Sequence, residues 1–126
     1  MPALEQREHV LNLARDVPHL TPHEARSLTV IVDRLTRAYS PQQLYLFGSK
    51  ARNESGPDSD FDLLVVVPDT APDERRSSRL AYDVLRGTGT AADILIWTRS
   101  AFESRVPLAA SLPATVVREG RLLYAG

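Results

Sequence analysis

The chain contains no cysteine, which excludes disulfide bonds, thiolate zinc sites and thiol nucleophiles. It has no apolar run near the roughly 20 residues that span a bilayer, and its charged first residues lack the apolar core of a secretory signal. We therefore expect a cytoplasmic protein with no membrane partner. Neither sign of charge dominates, since 15 Lys and Arg face 16 Asp and Glu, so no direct binding to nucleic acid is expected.

What the chain does contain is typical of one folded domain. Its 126 residues are 43% apolar and 25% charged. This length suffices for a single hydrophobic core and is too short for two substantial domains. We therefore treat residues 1–126 as one domain, and expect any substrate-binding lid either to be small or to come from a partner.

The clearest structural signal is a helix start at residues 21–24. Thr21 and Glu24 stand at the two ends of a capping box around Pro22, and apolar residues then recur at helical spacing, which predicts a helix over residues 22–39. Short apolar runs predict strands at 44–47, 60–67, 92–97 and 121–124, and helical patterns lie at 3–16, 72–86, 101–106 and 112–118. This order predicts a small α/β (α+β) domain with a mixed sheet flanked by helices.

Two aspartates stand two residues apart at the start of the most apolar strand. In a strand, Asp60 and Asp62 project from the same face, where their like charges repel unless a cation lies between them. Carboxylate oxygens suit Mg²⁺, and Asp93, at the start of the next predicted strand, can join them if the two strands are neighbours. Three carboxylates on adjacent strands can hold two metal ions for displacement at phosphorus. The alternative is that these aspartates are solvated turn or capping residues.

A second group of polar residues follows the strand predicted at 44–47. Gly48 lets the backbone approach a ligand closely, and the next amides and the Ser49 hydroxyl can donate to phosphate oxygens. Lys50 and Arg52 add positive charge nearby. The alternative is an ordinary tight turn capped by Ser49. The pattern is not the phosphate loop of the P-loop NTPases, because the Gly-Lys-Ser/Thr ending is missing.

Together the two groups resemble the signature of a known superfamily. Gly48-Ser49, ten further residues, Asp60-x-Asp62 on an apolar strand and a carboxylate on a later strand are similar to the motif of polymerase-beta-type nucleotidyltransferases. The string LFGSKARNESGPDSDFDLLVVV resembles the minimal nucleotidyltransferases, which are often encoded beside a HEPN-domain partner as a toxin–antitoxin pair. The motifs cover roughly residues 44–97, and the closing REGRLLYAG also looks like the end of that family.

This resemblance implies a fold, a reaction and a partner. The fold is that of polymerase-beta-type nucleotidyltransferases. The reaction is transfer of AMP from ATP, with Mg²⁺ as cofactor, to a tyrosine hydroxyl of a cognate HEPN-domain toxin. The chain is then the antitoxin and an AMPylating enzyme, and it forms a hetero-oligomer with the toxin.

The resemblance also assigns roles to single residues. Asp60 and Asp62 hold the metal ions, and Asp93 completes the site and helps to activate the attacking hydroxyl. Ser49, with the turn at Gly48, binds the triphosphate of the nucleotide.

Three further positions concern the phosphates. Arg52 matches an arginine of the family and is expected to bind phosphate. Lys50 is assigned to the nucleotide as well, although the family often has arginine there, and only arginine binds phosphate in a bidentate manner. Asn53 stands where glycine is frequent, and asparagine tolerates the left-handed backbone of such a turn.

Two other functions compatible with this sequence stay open. One is a non-catalytic antitoxin that neutralises its partner by binding and keeps the fold as a scaffold. The intact set of carboxylates argues against it, because a cluster of self-repelling carboxylates is a liability without metal. The other is a nucleotidyltransferase that modifies a small hydroxyl compound.

Overall fold

The computed structural model of the protein describes residues 20–51 and 60–126. The helices are α1 (Pro22–Tyr39), α2 (Gly48–Ala51), α3 (Arg79–Leu85), α4 (Arg99–Arg105) and α5 (Leu112–Glu119), with a 3₁₀ helix at Asp73–Arg76, and the strands are β1 (Gln43–Phe47), β2 (Phe61–Val67), β3 (Ala92–Thr98) and β4 (Arg121–Ala125). None of these described helices is long and apolar enough to cross a membrane. The helix predicted over residues 3–16 lies outside the described residues.

Helix α1 begins as its sequence predicts. The Thr21 hydroxyl oxygen accepts a hydrogen bond from the Glu24 amide at 3.1 Å, and the Glu24 carboxylate accepts one from the Thr21 amide at 2.9 Å. This capping box pairs amides that have no partner within the helix. Just beyond the end of the helix, Ser40 takes a left-handed conformation with φ of 46°. The predicted helix over residues 22–39 is therefore confirmed.

The described strands form one mixed sheet in the order β3-β2-β1-β4. β1 runs antiparallel to both β2 and β4, whereas β2 and β3 are parallel. A parallel pair needs a crossover connection, which the 3₁₀ helix and α3 provide. The predicted α+β domain with a mixed sheet and flanking helices is confirmed, and each predicted strand is correct to within about a residue at either end.

Alternate residues of β2 face opposite sides of the sheet. Leu63 and Val65 pack in the larger core, which α1 and α3 cover, whereas Leu64 and Val66 pack in the smaller core, which α4 and α5 cover. Asp62 alternates with the residues of the larger core and so belongs to the face of the smaller core. The two faces of the sheet thus carry different helices, and Asp62 lies on the face that α4 and α5 cover.

The single helix predicted over residues 72–86 is wrong, because two separate pieces occupy this stretch. Extended backbone at Ser77 divides the 3₁₀ helix from α3. The buried hydroxyl of Tyr39 donates to the Ser77 carbonyl at 2.6 Å and accepts from the Ala81 amide at 2.8 Å. A side chain of α1 therefore satisfies backbone groups at the break, and the local sequence pattern does not reveal such a distant partner.

The composition of residues 50–59 is polar and typical of a loop, but this stretch begins as a helix. Lys50 and Ala51 complete the single helical turn α2, which starts directly at the end of β1. The remainder of that stretch, residues 52–59, lies outside the described residues. The turn after β1 is therefore helical rather than irregular, and this fixes the direction in which the chain leaves the sheet.

Candidate functional site

The parallel pairing of β2 and β3 brings two carboxylates together. Asp62 and Asp93 are each the second residue of their strand, and the register pairs them directly. Neighbouring strands lie about 4.8 Å apart, and paired residues face the same side of the sheet. Asp62 is half-buried and Asp93 is exposed. Both carboxylates therefore project from one face, which we call the Asp62–Asp93 face.

Gly48 brings the backbone against the first of these carboxylates. It directly follows Phe47, which pairs with Asp62 across the antiparallel ladder. Its φ is +73°, and a Cβ atom built on it would lie 2.3 Å from Asp62 Oδ2. Glycine alone combines this left-handed conformation with so close an approach. The close approach that the sequence predicts at Gly48 is thus an approach to a carboxylate.

Asp60 lies before β2 rather than within it. Because β2 begins at Phe61, strand alternation does not determine the direction of the Asp60 side chain. Asp60 is exposed and lines an open cavity of about 320 Å³ with Tyr82 and Leu85 of α3, the helix that covers the larger core. Within residues 20–51 and 60–126, no three Asp, Glu or His residues form a group that could hold a metal ion. The geometry brings Asp62 and Asp93 together without adding Asp60.

The chemistry of the Asp62–Asp93 face fits a hard divalent cation. Two neighbouring carboxylates repel each other unless positive charge lies between them. One or two carboxylates, with the other positions left to water and substrate phosphates, are typical of Mg²⁺ sites. The face is also accessible, since Asp93 is exposed and Leu95, two residues along the same strand, is 39% exposed. A phosphate-bearing substrate can therefore approach this face at Asp93.

The Lys50 side chain lies on the side of the larger core. It is 2% exposed, its Nζ atom is 2.6 Å from Glu24 Oε2, and the same atom lies 5.1 Å from the centre of the Phe61 ring. So buried an ammonium group has little surface left for a phosphate. Its assignment to the nucleotide stays a prediction, and the observed contact is an ion pair with α1.

Glu24 is the residue that the sequence analysis missed, because its only recognisable signal was the capping box. The hydrogen bond from Lys50, followed by that from the Thr21 amide, lowers the pKa of the Glu24 carboxyl. The two partners are 26 residues apart in the chain. A pairing at this separation depends on how α1 packs on the sheet, and no local pattern indicates it.

For the two remaining phosphate-binding candidates, Ser49 and Arg52, no side-chain contact is described. Ser49 follows Gly48 in the backbone of α2, and Arg52 lies outside the described residues. Their contacts with a nucleotide therefore stay predictions, as does the set of roles assigned to the three aspartates.

Comparison with known proteins adds a family match. A family model described as a nucleotidyltransferase domain matches residues 28–123, which include Gly48, Asp62 and Asp93. This is about three quarters of the chain. A search of curated proteins finds no match.

Two solved structures share the fold. One is a toxin–antitoxin with AMP-PNP, which is 24% identical with a TM-score of 0.52 over 76% of this chain and 72% of that one. The other is a protein of Sulfolobus solfataricus provisionally assigned as a nucleotidyltransferase, which is 20% identical with a TM-score of 0.51 over 99% of this chain and 88% of that one. At these identities the similarity extends to the fold alone.

Proposed function

Because the chain belongs to the nucleotidyltransferase domain family, we propose that it transfers a nucleoside monophosphate from a nucleoside triphosphate to a hydroxyl group. The observation that carries this proposal is the pairing of Asp62 with Asp93 beside the left-handed Gly48. Two carboxylates on one accessible face, with closely approaching backbone, are what a site for Mg²⁺ and phosphates requires.

The proposed reaction is a displacement at the α-phosphorus. The acceptor oxygen forms a bond to that phosphorus while the bond to the bridging oxygen of the β-phosphate breaks, and pyrophosphate leaves. The Asp93 carboxylate takes the proton from the acceptor hydroxyl. Mg²⁺, which Asp62 and Asp93 would hold together with Asp60, supplies positive charge that stabilises the phosphates during the displacement. At Gly48 the absence of a side chain lets the backbone lie directly against the Asp62 carboxylate, where its amides can donate to the triphosphate.

The motif and one related fold support a specific donor and acceptor for this reaction. We infer that ATP is the donor and that a tyrosine hydroxyl of a HEPN-domain toxin is the acceptor, which makes this chain the antitoxin. The string from Leu46 to Val67 supports this because it resembles the minimal nucleotidyltransferases. The toxin–antitoxin structure with AMP-PNP, an ATP analogue, supports it through its shared fold.

A label-transfer experiment tests the proposal. The purified chain is incubated with Mg²⁺, with each of the four ribonucleoside triphosphates labelled at the α-phosphorus, and with the protein encoded by the adjacent gene. Asp62→Asn is run beside it, with Asp73→Asn as the control, because Asp73 is an exposed aspartate in the 3₁₀ helix. Gel analysis and mass spectrometry then identify the labelled species and the modified residue.

The expected result is AMP on a tyrosine of the neighbouring protein, lost in Asp62→Asn and kept in Asp73→Asn. If the two proteins bind and the neighbour is neutralised without transfer of label, the chain is a non-catalytic antitoxin. If label appears only on a small hydroxyl compound, the reaction class stands and the proposed acceptor is wrong.

A further inference from the structure

Lys50 is the only charged side chain among the described residues that is fully buried, at 2% exposure. Removing an ammonium group from water costs free energy that a paired charge only partly restores, and an apolar residue of similar size is often as stable in such a place. Stability alone therefore does not account for a lysine here. Its position, two residues after Gly48, points to the candidate site.

Glu24, which is paired with Lys50, takes part in further hydrogen bonds. One oxygen of the Glu24 carboxylate accepts from Lys50 Nζ at 2.6 Å, and the other accepts from the Thr21 amide at 2.9 Å. The Glu24 amide in turn donates to the Thr21 hydroxyl oxygen. The carboxylate is thus part of the capping box of α1, an 18-residue helix whose apolar face is buried in the larger core. A helix packed in this way can hold a neighbouring turn in a fixed position.

The Lys50 ammonium group also contacts the strand that carries the site. It lies 5.1 Å from the centre of the Phe61 ring, and Phe61 immediately precedes Asp62. The same side chain therefore joins three segments, namely the start of α1, the single turn α2 and the start of β2. Two of these segments supply Gly48 and Asp62, whose separation leaves no room for a methyl group.

We propose that Lys50 and Glu24 are positioning residues, which hold Gly48 in place against Asp62 and so set the affinity of the site for the phosphates of a nucleotide. This inference rests on the proposed function, and it gives Lys50 a role through its neighbours rather than through contact with substrate. Displacements of about 1 Å in a reactive site can cost about 100-fold in rate. A turn released from its ion pair is expected to weaken nucleotide binding by at least about tenfold.

Three variants separate positioning from stability and from direct contact. Lys50→Met removes the charge and keeps a long apolar side chain in the core. Glu24→Gln keeps an oxygen for the capping box and removes the negative charge. The double variant removes both charges, so that no buried ion is left without a partner. Asp33→Asn is the matched control, because it breaks an exposed ion pair with Arg37 on the same helix.

Each variant is measured in three ways. Urea denaturation gives the stability, and all binding is measured at a temperature at which every protein is folded. Titration with a fluorescent ATP analogue in the presence of Mg²⁺ gives the dissociation constant. The amide resonance of Gly48 in the nucleotide-free protein reports the position of the turn directly.

Positioning predicts that Lys50→Met and Glu24→Gln both shift the Gly48 resonance and weaken binding at least about tenfold, whereas Asp33→Asn does neither. It also predicts that the double variant regains stability while its binding stays weak. If Lys50 contacts the nucleotide directly, Glu24→Gln leaves the binding intact, and the inference is wrong. If binding recovers together with stability in the double variant, the pair is merely structural, which also overturns the inference.

The two proposals fail in different ways. If the native chain does not bind a nucleotide, the proposed function is wrong. The proposed effect of Lys50 and Glu24 on nucleotide affinity is then wrong as well. Native binding that Lys50→Met and Glu24→Gln leave unchanged contradicts the positioning inference alone. A Gly48 resonance that stays unmoved in both variants contradicts it as well, whatever the nucleotide binding shows.

Discussion

A Cβ atom built on Gly48 would lie 2.3 Å from Asp62 Oδ2, and the φ of Gly48 is +73°. Two separate constraints, a left-handed backbone and contact with a carboxylate, therefore require glycine at this position. Gly89 has almost the same φ, +71°, but a Cβ atom built on it meets no heavy atom within 4 Å. The two glycines thus allow backbone strain to be measured apart from contact with the site.

Replacement of each glycine by alanine separates these effects. Gly48→Ala and Gly89→Ala are each expected to lower the free energy of unfolding by about 1–2 kcal/mol through the left-handed conformation, as measured by urea denaturation. In Gly48→Ala the Asp62 carboxylate must also move, so the nucleotidyl transfer rate should fall at least about tenfold. Gly89→Ala should keep the native rate. Equal rates in the two variants would show that the approach of Gly48 to Asp62 has no functional consequence.

Removal of either paired carboxylate should strongly slow the transfer. Asp62→Asn and Asp93→Asn are each expected to reduce the rate with Mg²⁺ at least about 100-fold, because a bound metal ion contributes several kcal/mol of charge stabilisation. For Asp93→Asn the free energy of unfolding should stay the same or rise, since Asp93 is exposed and one of two repelling charges is removed. Steady-state kinetics and urea denaturation of the same preparations measure both quantities. A stability loss that accounts for the lost rate would contradict a metal-binding role.

Asp60→Asn belongs in the same series, because the structure does not group Asp60 with the other two carboxylates. A rate loss like that of Asp62→Asn would show that Asp60 joins the site when substrate is bound. An unchanged rate would limit the metal ligands supplied by these three residues to Asp62 and Asp93.

The buried hydroxyl of Tyr39 should matter for stability alone. Tyr39→Phe leaves the Ser77 carbonyl and the Ala81 amide without their hydrogen-bond partner. We expect a loss of about 2 kcal/mol in the free energy of unfolding, because an unsatisfied buried polar group costs about 1–3 kcal/mol. Tyr82, which is 50% exposed, provides the control Tyr82→Phe, with an expected change near zero. Thermal or urea denaturation measures the stability of both variants. An equal loss of stability in Tyr39→Phe and Tyr82→Phe would contradict the role assigned to the Tyr39 hydroxyl.

The ion pair between Glu24 and Lys50 predicts a dependence of stability on pH. Lys50 lowers the pKa of the Glu24 carboxyl. The stabilisation by this pair is therefore complete above the ordinary glutamate pKa of about 4.3 and is lost as the pH falls through the lower value of the folded state. The difference in unfolding free energy between the native chain and Glu24→Gln should be constant from neutral pH to about pH 5, and should shrink below about pH 4.3. Urea denaturation across this range tests it, and a difference that persists in acid would contradict the prediction.

Much of the fold follows from local patterns. The capping box of Thr21 and Glu24 marks the start of α1, and short apolar runs mark every described strand. Such signals involve residues only a few positions apart, so they can be recognised directly in the sequence. Local patterns do not predict the break at Ser77, because the hydroxyl group that stabilises it belongs to Tyr39, 38 residues away.

Some features of the candidate site are likewise local, and others depend on the tertiary structure. The sequence by itself determined which residues are candidates for the chemistry, since carboxylates at the start of apolar strands and a Gly-Ser pair after a strand are local features. Only the tertiary structure decided that Asp62 pairs with Asp93 while Asp60 stays outside the strand, and that Lys50 turns into the core to meet Glu24. These outcomes depend on strand register and on the packing of α1 against the sheet. Both are set by contacts between distant parts of the chain. The register that buries the apolar face of each strand, and the packing that pairs the buried charge of Lys50, give the folded chain its lowest free energy.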